Sequence, residues 1–257
     1  MPTTSLIIDT PDGQCPATLH TQDNHAALPA VIMYPDAGGA RPAIREMATT
    51  LSGFGYTVLL PDVYYRHGPW QPLDMSAVWT DPVERQRMLT MAKSLTPDII
   101  TRDGDAFTDF LIRHPQTVGA RVGVCGYCGG GRGAFILAGR LADRIAAVGA
   151  IHPGGLVTDG PESPHLLSSQ ISGAVYIGAA HNDPQFTHRH AEAIEHALSD
   201  ATIEHEIDFY GAPHGFAVAD STNYHPDAAD QHWAALKKLF RKALPAEGPR
   251  SSRRLSS

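Results

Sequence analysis

The chain has 257 residues, of which 42% are hydrophobic and 18% charged, with a formal net charge of -7. This length suits one large domain with a substantial core, and the acidic balance argues against a nucleic-acid partner. No apolar run is long enough to cross a membrane, and the first residues lack the basic and apolar segments of a signal peptide. Three cysteines do not make a disulfide scaffold. We therefore expect a cytoplasmic protein with no membrane partner.

Apolar stretches alternate with segments rich in glycine, proline and polar residues, which predicts a succession of strands and helices. Near the start, Pro11-Asp12-Gly13 is typical of a hairpin turn. The predicted strands, in chain order, are Ser5–Ile8, Ala17–His20, Ala30–Tyr34, Tyr56–Leu60, Arg121–Cys125, Ala146–Ile151, Ala174–Ala179 and Ile203–Tyr210. The predicted helices are Pro42–Ser52, Pro82–Lys93, Asp98–Arg113, Gly130–Arg140, Pro184–Leu198 and Pro226–Ala243.

These strands are apolar on both faces and alternate with helices, which indicates a mostly parallel sheet covered by helices on both sides. We therefore predict an α/β fold with a single domain over residues 1–244. Residues 245–257 are rich in proline, serine and arginine, and we predict a disordered tail there. The irregular, aromatic segment Val63–Thr80 is too long for a plain connection and is expected to cap a site.

The most specific motif is Gly126-Tyr127-Cys128-Gly129-Gly130, which directly follows the predicted strand Arg121–Cys125. The pattern small-x-nucleophile-x-small is typical of the strand-turn-helix elbow of α/β-hydrolases, with cysteine in place of serine. Side chains at Gly126 and Gly130 would collide where strand and helix converge. A thiol at the apex of this turn meets the positive end of the helix dipole, which makes Cys128 a candidate nucleophile.

A nucleophile of this kind needs a base, and the base needs an acid that orients it. In α/β-hydrolases the acid and then the histidine follow the nucleophile along the chain, each from a loop after a strand. Asp183 follows the strand Ala174–Ala179, and His214 follows the strand Ile203–Tyr210. Because such loops meet at one edge of a parallel sheet, Cys128, Asp183 and His214 are expected to converge.

Each of the three residues also has a purely structural explanation. Asp183 could serve only as the N-cap of the helix predicted to begin at Pro184. His214 is one of 14 histidines, and a cysteine such as Cys128 is often an inert buried residue. The occurrence of all three in the required order favours the catalytic interpretation over these alternatives.

From about Asp9 to Phe240 the sequence resembles the dienelactone hydrolases of the α/β-hydrolase superfamily. The resemblance rests on Gly126-Tyr127-Cys128-Gly129-Gly130, Leu60-Pro61-Asp62-Val63-Tyr64-Tyr65-Arg66, the stretch Gly178 through Asp183-Pro184, and His214-Gly215-Phe216. It implies a Cys-Asp-His triad, which residue by residue is again Cys128, Asp183 and His214. It also implies an ester or lactone hydrolase that forms an acyl-thioester. This chemistry requires no metal and no organic cofactor.

The family also carries an acid after the first core strand, commonly as His-Glu, where this chain has Pro35-Asp36. The resemblance makes Asp36 an accessory acid for the thiol, although its shorter side chain could instead only close a turn. The backbone N–H groups of Ala37 and Gly129 are the expected oxyanion hole.

The substrate is the least defined part of the prediction. Family members that act on dienelactone hold its carboxylate with arginines, one of them shortly after the catalytic histidine, but here that stretch reads Phe216-Ala217-Val218-Ala219-Asp220. Arg85 and Arg87 could supply a clamp or could be solvated helix charges. A less polar small-molecule ester or lactone is favoured. The candidate contacts are Tyr64, Trp70, Trp79, Tyr127, His152 and Phe216.

Three other interpretations stay open. Cys125 and Cys128 form a Cys-x-x-Cys, which would suit a thiol redox protein, although Cys125 is predicted to face the sheet core. A histidine- and aspartate-rich patch, His181 to His190, would suit a metal site, but His188 and His190 point different ways on a helix. A non-catalytic binding protein on a hydrolase scaffold is the third. The sequence does not distinguish a monomer from a homodimer.

Overall fold

A central β-sheet organises the molecule in the computed structural model, which describes residues 1–23 and 27–245. Within these residues the sheet has eight strands: β1 (Thr3–Thr10), β2 (Gly13–His20), β3 (Leu28–Tyr34), β4 (Thr57–Pro61), β5 (Thr117–Tyr127), β6 (Ile145–Ile151), β7 (Ala174–Ala180) and β8 (His205–Tyr210). They lie side by side in the order β1-β2-β4-β3-β5-β6-β7-β8.

The first two strands form an antiparallel hairpin in which Thr10 pairs with Gly13, so the predicted turn is confirmed. Strand β2 pairs antiparallel with β4. From β4 to β8 every neighbouring pair runs parallel, which confirms the mostly parallel sheet. Consequently the carboxyl ends of β3, β5, β6, β7 and β8 meet at one edge, where ligands of open parallel sheets bind.

Helices cover both faces of the sheet, as predicted. The helices of the described residues are α1 (Pro42–Gly53), α2 (Pro82–Ser94), α3 (Pro97–Arg113), α4 (Gly129–Arg140), α5 (His188–Asp200) and α6 (Pro226–Ala243). Side chains of α3, α4 and α5, among them Phe107 and Phe135, join one apolar cluster, while those of α1 and α6, among them Leu51 and Phe240, join a second.

The helix predicted over Pro184–Leu198 begins later than expected. Thr187, not Asp183, is the N-cap of α5, and it exchanges hydrogen bonds with His190 in a capping box. One carboxylate oxygen of Asp183 accepts the N–H of Gln185 at 2.9 Å and closes a turn instead. The prediction was wrong because Asp-Pro is typical of a turn as well as of a helix start, and the capping box has histidine where glutamate or glutamine is usual.

The turn between β5 and α4 is a strained backbone bend. Cys128 has φ 53° and ψ −120°, a conformation that residues with a side chain rarely adopt. A Cβ on Gly126 would lie 2.1 Å from the carbonyl oxygen of Gly130, and a Cβ on Gly130 would lie 2.2 Å from that of Pro35. The predicted need for glycine at both positions is therefore confirmed, since no side chain fits either contact.

The segment Val63–Thr80 is irregular, as predicted, apart from one short 3-10 turn. Its Trp70 donates a hydrogen bond to the carboxylate of Asp62 at 2.9 Å and packs edge-on against Tyr64, with ring centroids 5.6 Å apart. The indole also lies over the loop after β3, because a Cβ on Gly39 would come within 2.6 Å of it. This segment therefore covers part of the carboxyl edge of the sheet.

No helix within residues 1–23 and 27–245 combines the length and the apolar character that a membrane crossing requires. The predicted tail, 245–257, lies outside the described residues except for Pro245, so the division into one domain and a disordered tail stays a prediction.

The close contact at Gly130 can be tested by adding a single methyl group. Gly130→Ala is expected to lower the free energy of unfolding by about 3 kcal/mol, because the new Cβ would overlap the Pro35 carbonyl. Gly129→Ala is the matched control: a Cβ there has no atom within 4 Å, and its effect should stay within about 1 kcal/mol. Urea denaturation of the two variants measures both values, and equal losses would contradict the packing argument.

Candidate active site

The loops after β5, β7 and β8 carry Cys128, Asp183 and His214 to the same edge of the sheet. The three residues are separated by up to 86 positions along the chain, yet the parallel topology places them side by side. The structure therefore brings together the three residues that the sequence analysis singled out.

His214 is held by a short hydrogen bond to Asp183. The distance from Nδ1 of the ring to Oδ2 of the carboxylate is 2.6 Å, and the Asp183 side chain is fully buried. The main chain at His214 is fixed as well, because its carbonyl oxygen accepts the side-chain amide of Asn223 at 2.8 Å. With Nδ1 engaged, the ring presents its other nitrogen, Nε2, to the site.

Cys128 is partly exposed, whereas the other two cysteines, Cys15 and Cys125, are buried. Its backbone is fixed on both sides: its N–H donates to the carbonyl of Ile151 at 3.0 Å, and its carbonyl accepts the N–H of Gly154 at 3.2 Å. A Cβ on Gly154 would lie 2.5 Å from the side-chain oxygen of Gln185 and 3.9 Å from the Cys128 sulfur, so this glycine makes room for the Gln185 side chain near the thiol.

The electrostatic balance at His214 links it to Cys128. Burial of the ring lowers the pKa of His214, but hydrogen bonds to Asp183 and Cys128, together with their negative charges, outweigh it and raise the pKa to about 10. Nδ1 is bound to Asp183, and the other ring nitrogen, Nε2, is buried and has no hydrogen-bond partner among the described residues. Cys128 is near enough to raise the pKa of His214, and Nε2 is the ring nitrogen left to interact with it.

Two backbone N–H groups remain unbonded beside the thiol. Neither the N–H of Ala37 nor that of Gly129 has an acceptor in the described part of the chain. Gly129 is the first residue of α4, so its N–H lies at the positive end of the helix. The peptide that carries the Ala37 N–H is held by its own carbonyl, that of Asp36, which accepts the N–H of Gly39 at 3.0 Å, and the Tyr64 hydroxyl donates to the following carbonyl, that of Ala37, at 3.1 Å. These are the two groups expected for an oxyanion hole.

Asp36, the predicted accessory acid, is bound to another partner. Its carboxylate accepts two hydrogen bonds from Arg41, at 2.5 and 3.0 Å, and the N–H of Gly38 at 2.9 Å. No hydrogen bond joins it to Cys128 in the residues that the structure describes. Asp36 thus closes a turn, the structural alternative raised from the sequence, and its accessory role stays a prediction.

The aromatic candidates fall into two groups, and the first lies in the segment Val63–Thr80. Tyr64 lies close to the site, since its hydroxyl donates to the Ala37 carbonyl at 3.1 Å, but its side chain is buried. Burial and the charges of Asp36 and Cys128 raise the pKa of its phenol. Trp70 packs on Tyr64 and lies with it over the loop after β3. Trp79 is not brought to them: its side chain is 57% exposed, with the Arg85 guanidinium 5.5 Å from the ring centroid. Its placement gives no support to a role in substrate binding.

The second group, Tyr127, His152 and Phe216, is buried behind His214. The ring of His152 lies 5.0 Å from that of His214, 5.2 Å from Phe216 and 5.9 Å from Tyr127. These residues were predicted to contact substrate, but their full burial makes them a packing layer that supports His214. The alternating apolar pattern of a buried strand does not reveal which of its side chains reach the surface.

His152 itself is unusual. Its backbone φ is 34°, and neither ring nitrogen has a hydrogen-bond partner among the described residues. Burial, followed by the proximity of His214 and His232, holds the pKa of His152 well below its usual range. The ring is therefore neutral and adds no positive charge next to His214.

Sequence reasoning missed Arg41 and Asp220. Arg41 is buried, and it binds both Asp36 and Asp220. The stretch after His214 was noted for lacking an arginine, but nothing in the sequence indicates that Asp220 pairs with a residue 179 positions earlier. A pairing of this kind is visible only in three dimensions.

The other candidate arginines and the alternative sites are occupied or buried. Arg87 donates to Glu84 and to the carbonyl of Gln71, so it is not free to clamp a ligand. Cys125 is buried in an apolar cluster, and burial raises the pKa of its thiol, which disfavours the redox interpretation. Within residues 1–23 and 27–245, no group of three or more His, Cys, Asp or Glu side chains is arranged to hold a metal ion.

A parallel sheet flanked by helices, with a strained elbow and a histidine–aspartate pair at its carboxyl edge, defines the α/β-hydrolase class. The sequence also matches the dienelactone hydrolase family over residues 16–244, nearly the whole chain. The protein therefore belongs to the dienelactone hydrolase family and is an ester or lactone hydrolase.

Individual relatives agree with this membership. The chain is 28% identical over 218 residues to a carboxymethylenebutenolidase of Pseudomonas sp. (strain P51), covering 84% of this chain and 86% of the relative. It is 24% identical over 230 residues to a carboxymethylenebutenolidase of Rhodococcus opacus, covering 88% and 86%. The fold is similar to the crystal structure of a dienelactone hydrolase-like promiscuous phosphotriesterase from metagenomic libraries, with a TM-score of 0.75, 20% identity, and 94% and 99% of the two chains covered.

The raised pKa of His214 predicts how its titration responds to mutation. In Cys128→Ala the hydrogen bond and the charge of the thiol are lost, so the pKa of His214 should fall below its wild-type value of about 10. NMR titration of the ring measures this change. His205, whose raised pKa depends on Ile203 and Glu195, is the internal control and should not shift.

The same shift fixes the sign of one contribution to stability. Because the folded-state pKa of His214 lies above the ordinary 6.5, the proton stabilises the folded protein fully below about pH 6.5, and this stabilisation is lost as the pH rises through about 10.

A His214 pKa that is unchanged in Cys128→Ala would show that the two side chains do not interact.

Proposed function

We propose that this chain hydrolyses a small ester or lactone with Cys128 as nucleophile, His214 as general base and acid, and Asp183 as the residue that orients His214. The observation that carries the proposal is the 2.6 Å bond from His214 to Asp183, which leaves the other ring nitrogen without a partner among the described residues, while Cys128 occupies the strained elbow at the same edge of the sheet. Because the three side chains lie on loops of a rigid sheet, little rearrangement is needed before reaction.

In the first half of the reaction, the Cys128 thiol gives its proton to Nε2 of His214, and the sulfur attacks the substrate carbonyl carbon. The carbonyl oxygen becomes an oxyanion that accepts hydrogen bonds from the N–H groups of Gly129 and Ala37, each worth about 3 kcal/mol of transition-state stabilisation. When the intermediate collapses, His214 returns the proton to the departing alkoxide oxygen. An acyl-thioester on Cys128 remains.

In the second half, Nε2 of His214 takes a proton from water, and the hydroxide attacks the thioester carbon. The same two N–H groups bind the second oxyanion. The carbon–sulfur bond then breaks, the acid product leaves, and the thiolate of Cys128 faces the imidazolium of His214. The Asp183 carboxylate stabilises this imidazolium, in agreement with the raised pKa of His214.

Arg41, Arg85 and Arg87 are not free to bind a carboxylate of the substrate. Arg41, the buried arginine of this region, is already bound to two carboxylates, and Arg85 and Arg87 have partners on or beside α2. Trp70, which is partly exposed, offers aromatic surface at the carboxyl edge instead, whereas Tyr64 beneath it is buried and, contrary to the prediction, supports Trp70 by packing. We infer a neutral ester or lactone with an apolar acyl or ring portion, in place of the anionic dienelactone. The thiol of Cys128 must stay reduced for this reaction, which suits the cytoplasm.

Removal of the sulfur tests the nucleophile directly. Cys128→Ala should lower kcat/KM for p-nitrophenyl acetate by at least ~10³-fold, because the group that forms the covalent intermediate is lost. Cys125→Ala is the matched control: it removes a buried sulfur three residues away that faces the apolar core, and it should retain activity.

The covalent step has its own signature. Rapid quenching of the wild type with p-nitrophenyl acetate should show one acetyl group on the peptide that contains Cys128 by mass spectrometry. Full activity of Cys128→Ala would refute the assignment. Activity that instead depends on Cys125, with a disulfide between the two cysteines after mild oxidation, would favour the redox interpretation.

A further inference from the structure

We propose that Arg41 and Asp220 are positioning residues of this site: together with Asp36 they tie the loop that carries Ala37 to the loop that carries His214, and so hold one half of the oxyanion hole in register with the base. The inference rests on the proposed function, because it assigns a role to the Ala37 N–H that only an oxyanion-forming reaction uses.

The connection is a double ion pair with a buried centre. Arg41 has a side-chain exposure of 4%, and its guanidinium makes two hydrogen bonds to Asp36 and two to Asp220, the latter both at 2.7 Å. Burial lowers the pKa of Arg41, but the hydrogen bonds to the two carboxylates more than offset this and raise it. Bidentate pairing on both sides fixes the plane of the guanidinium as well as its position.

One end of the connection fixes the Ala37 peptide. Asp36 begins a turn in which Gly39 donates to the Asp36 carbonyl at 3.0 Å and Gly38 donates to the Asp36 carboxylate at 2.9 Å. Arg41 grips the same carboxylate and also approaches the Gly39 carbonyl at 3.4 Å. Ala37 lies inside this turn, so the direction of its N–H depends on the turn being held in place.

The other end belongs to the loop of the catalytic histidine. Asp220 lies six residues after His214, in a turn closed by a hydrogen bond from Ser221 to Val218 at 2.9 Å. Asn223, three residues further on, binds the carbonyl of His214 at 2.8 Å. A displacement of this loop therefore moves the base, and Arg41 couples that movement to the Ala37 turn.

Geometry and simple electrostatics predict opposite effects when Asp220 is neutralised. A negative charge near a developing oxyanion disfavours it, so loss of the charge alone would raise the rate of hydrolysis. Loss of the connection instead misplaces a hydrogen-bond donor, and a displacement of ~1 Å can cost up to ~100-fold. The sign of the change thus separates positioning from a through-space charge effect.

The test is Asp220→Asn, which removes the charge and one of the two oxygens that bind Arg41, and so weakens the connection to the histidine loop while it leaves the pair between Arg41 and Asp36 intact. We expect kcat/KM for p-nitrophenyl acetate to fall about 10- to 100-fold. Trifluoroacetophenone, whose carbonyl oxygen becomes an oxyanion when the thiol adds to its carbonyl carbon, should bind more weakly by a similar factor. Alkylation of Cys128 by iodoacetamide forms no oxyanion, and its rate should stay within about twofold of the wild type.

Two further variants complete the design. Asp220→Glu keeps the charge and should recover part of the lost activity. Asp105→Asn is the matched control, because it removes one of the two carboxylates that bind Arg144 on the far side of α3, and it should leave all three measurements unchanged. The Asp220 side chain is 40% exposed, so its replacement is expected to fold, which a thermal melt checks.

The outcomes separate this inference from the proposed function. If the wild type neither hydrolyses the ester nor is alkylated at Cys128, the proposed function itself fails. If the wild type does both and Asp220→Asn matches or exceeds it in hydrolysis, only the positioning role fails. A parallel loss of hydrolysis and alkylation would also overturn it, because the defect would then lie in the thiol and base and not in the oxyanion hole.

Discussion

The site depends on how closely the backbone of β5 approaches that of α4. A side chain on Gly126 would overlap the carbonyl of Gly130, and a side chain on Gly130 would overlap the carbonyl of Pro35. These contacts force the chain to reverse within two residues and hold Cys128 in its strained conformation. The sulfur of Cys128 is thereby raised from the sheet, and the loop after β3 is brought close to the elbow, so the same contacts position Cys128 and both candidate oxyanion donors.

Burial determines the charges of the remaining groups. The carboxylate of Asp183 has no access to solvent, so its negative charge needs a positive partner, and His214 supplies one. The layer behind His214 stays uncharged, because burial lowers the pKa of His152 and brings that of His232 to about 3. Among these three histidines, His214 is therefore the one whose pKa favours the protonated ring.

The sequence analysis was most successful where local chemistry decides the structure. The elbow required glycine at two defined positions, and the amphipathic helix Pro226–Ala243 has the bounds that its pattern predicts. It failed at Asp183, because Asp-Pro is compatible with a turn and with a helix start. It could not pair Arg41 with Asp220, because long-range contacts between single charged residues leave no local pattern.

The order of the strands has a consequence for the folding of the enzyme. Cys128, Asp183 and His214 lie on loops that follow three different strands, and the candidate oxyanion loop follows a fourth, β3. Such non-local arrangements slow folding, because distant segments must first be brought together. The site is complete only when all four strands are paired, so recovery of hydrolysis after denaturation reports completion of the sheet.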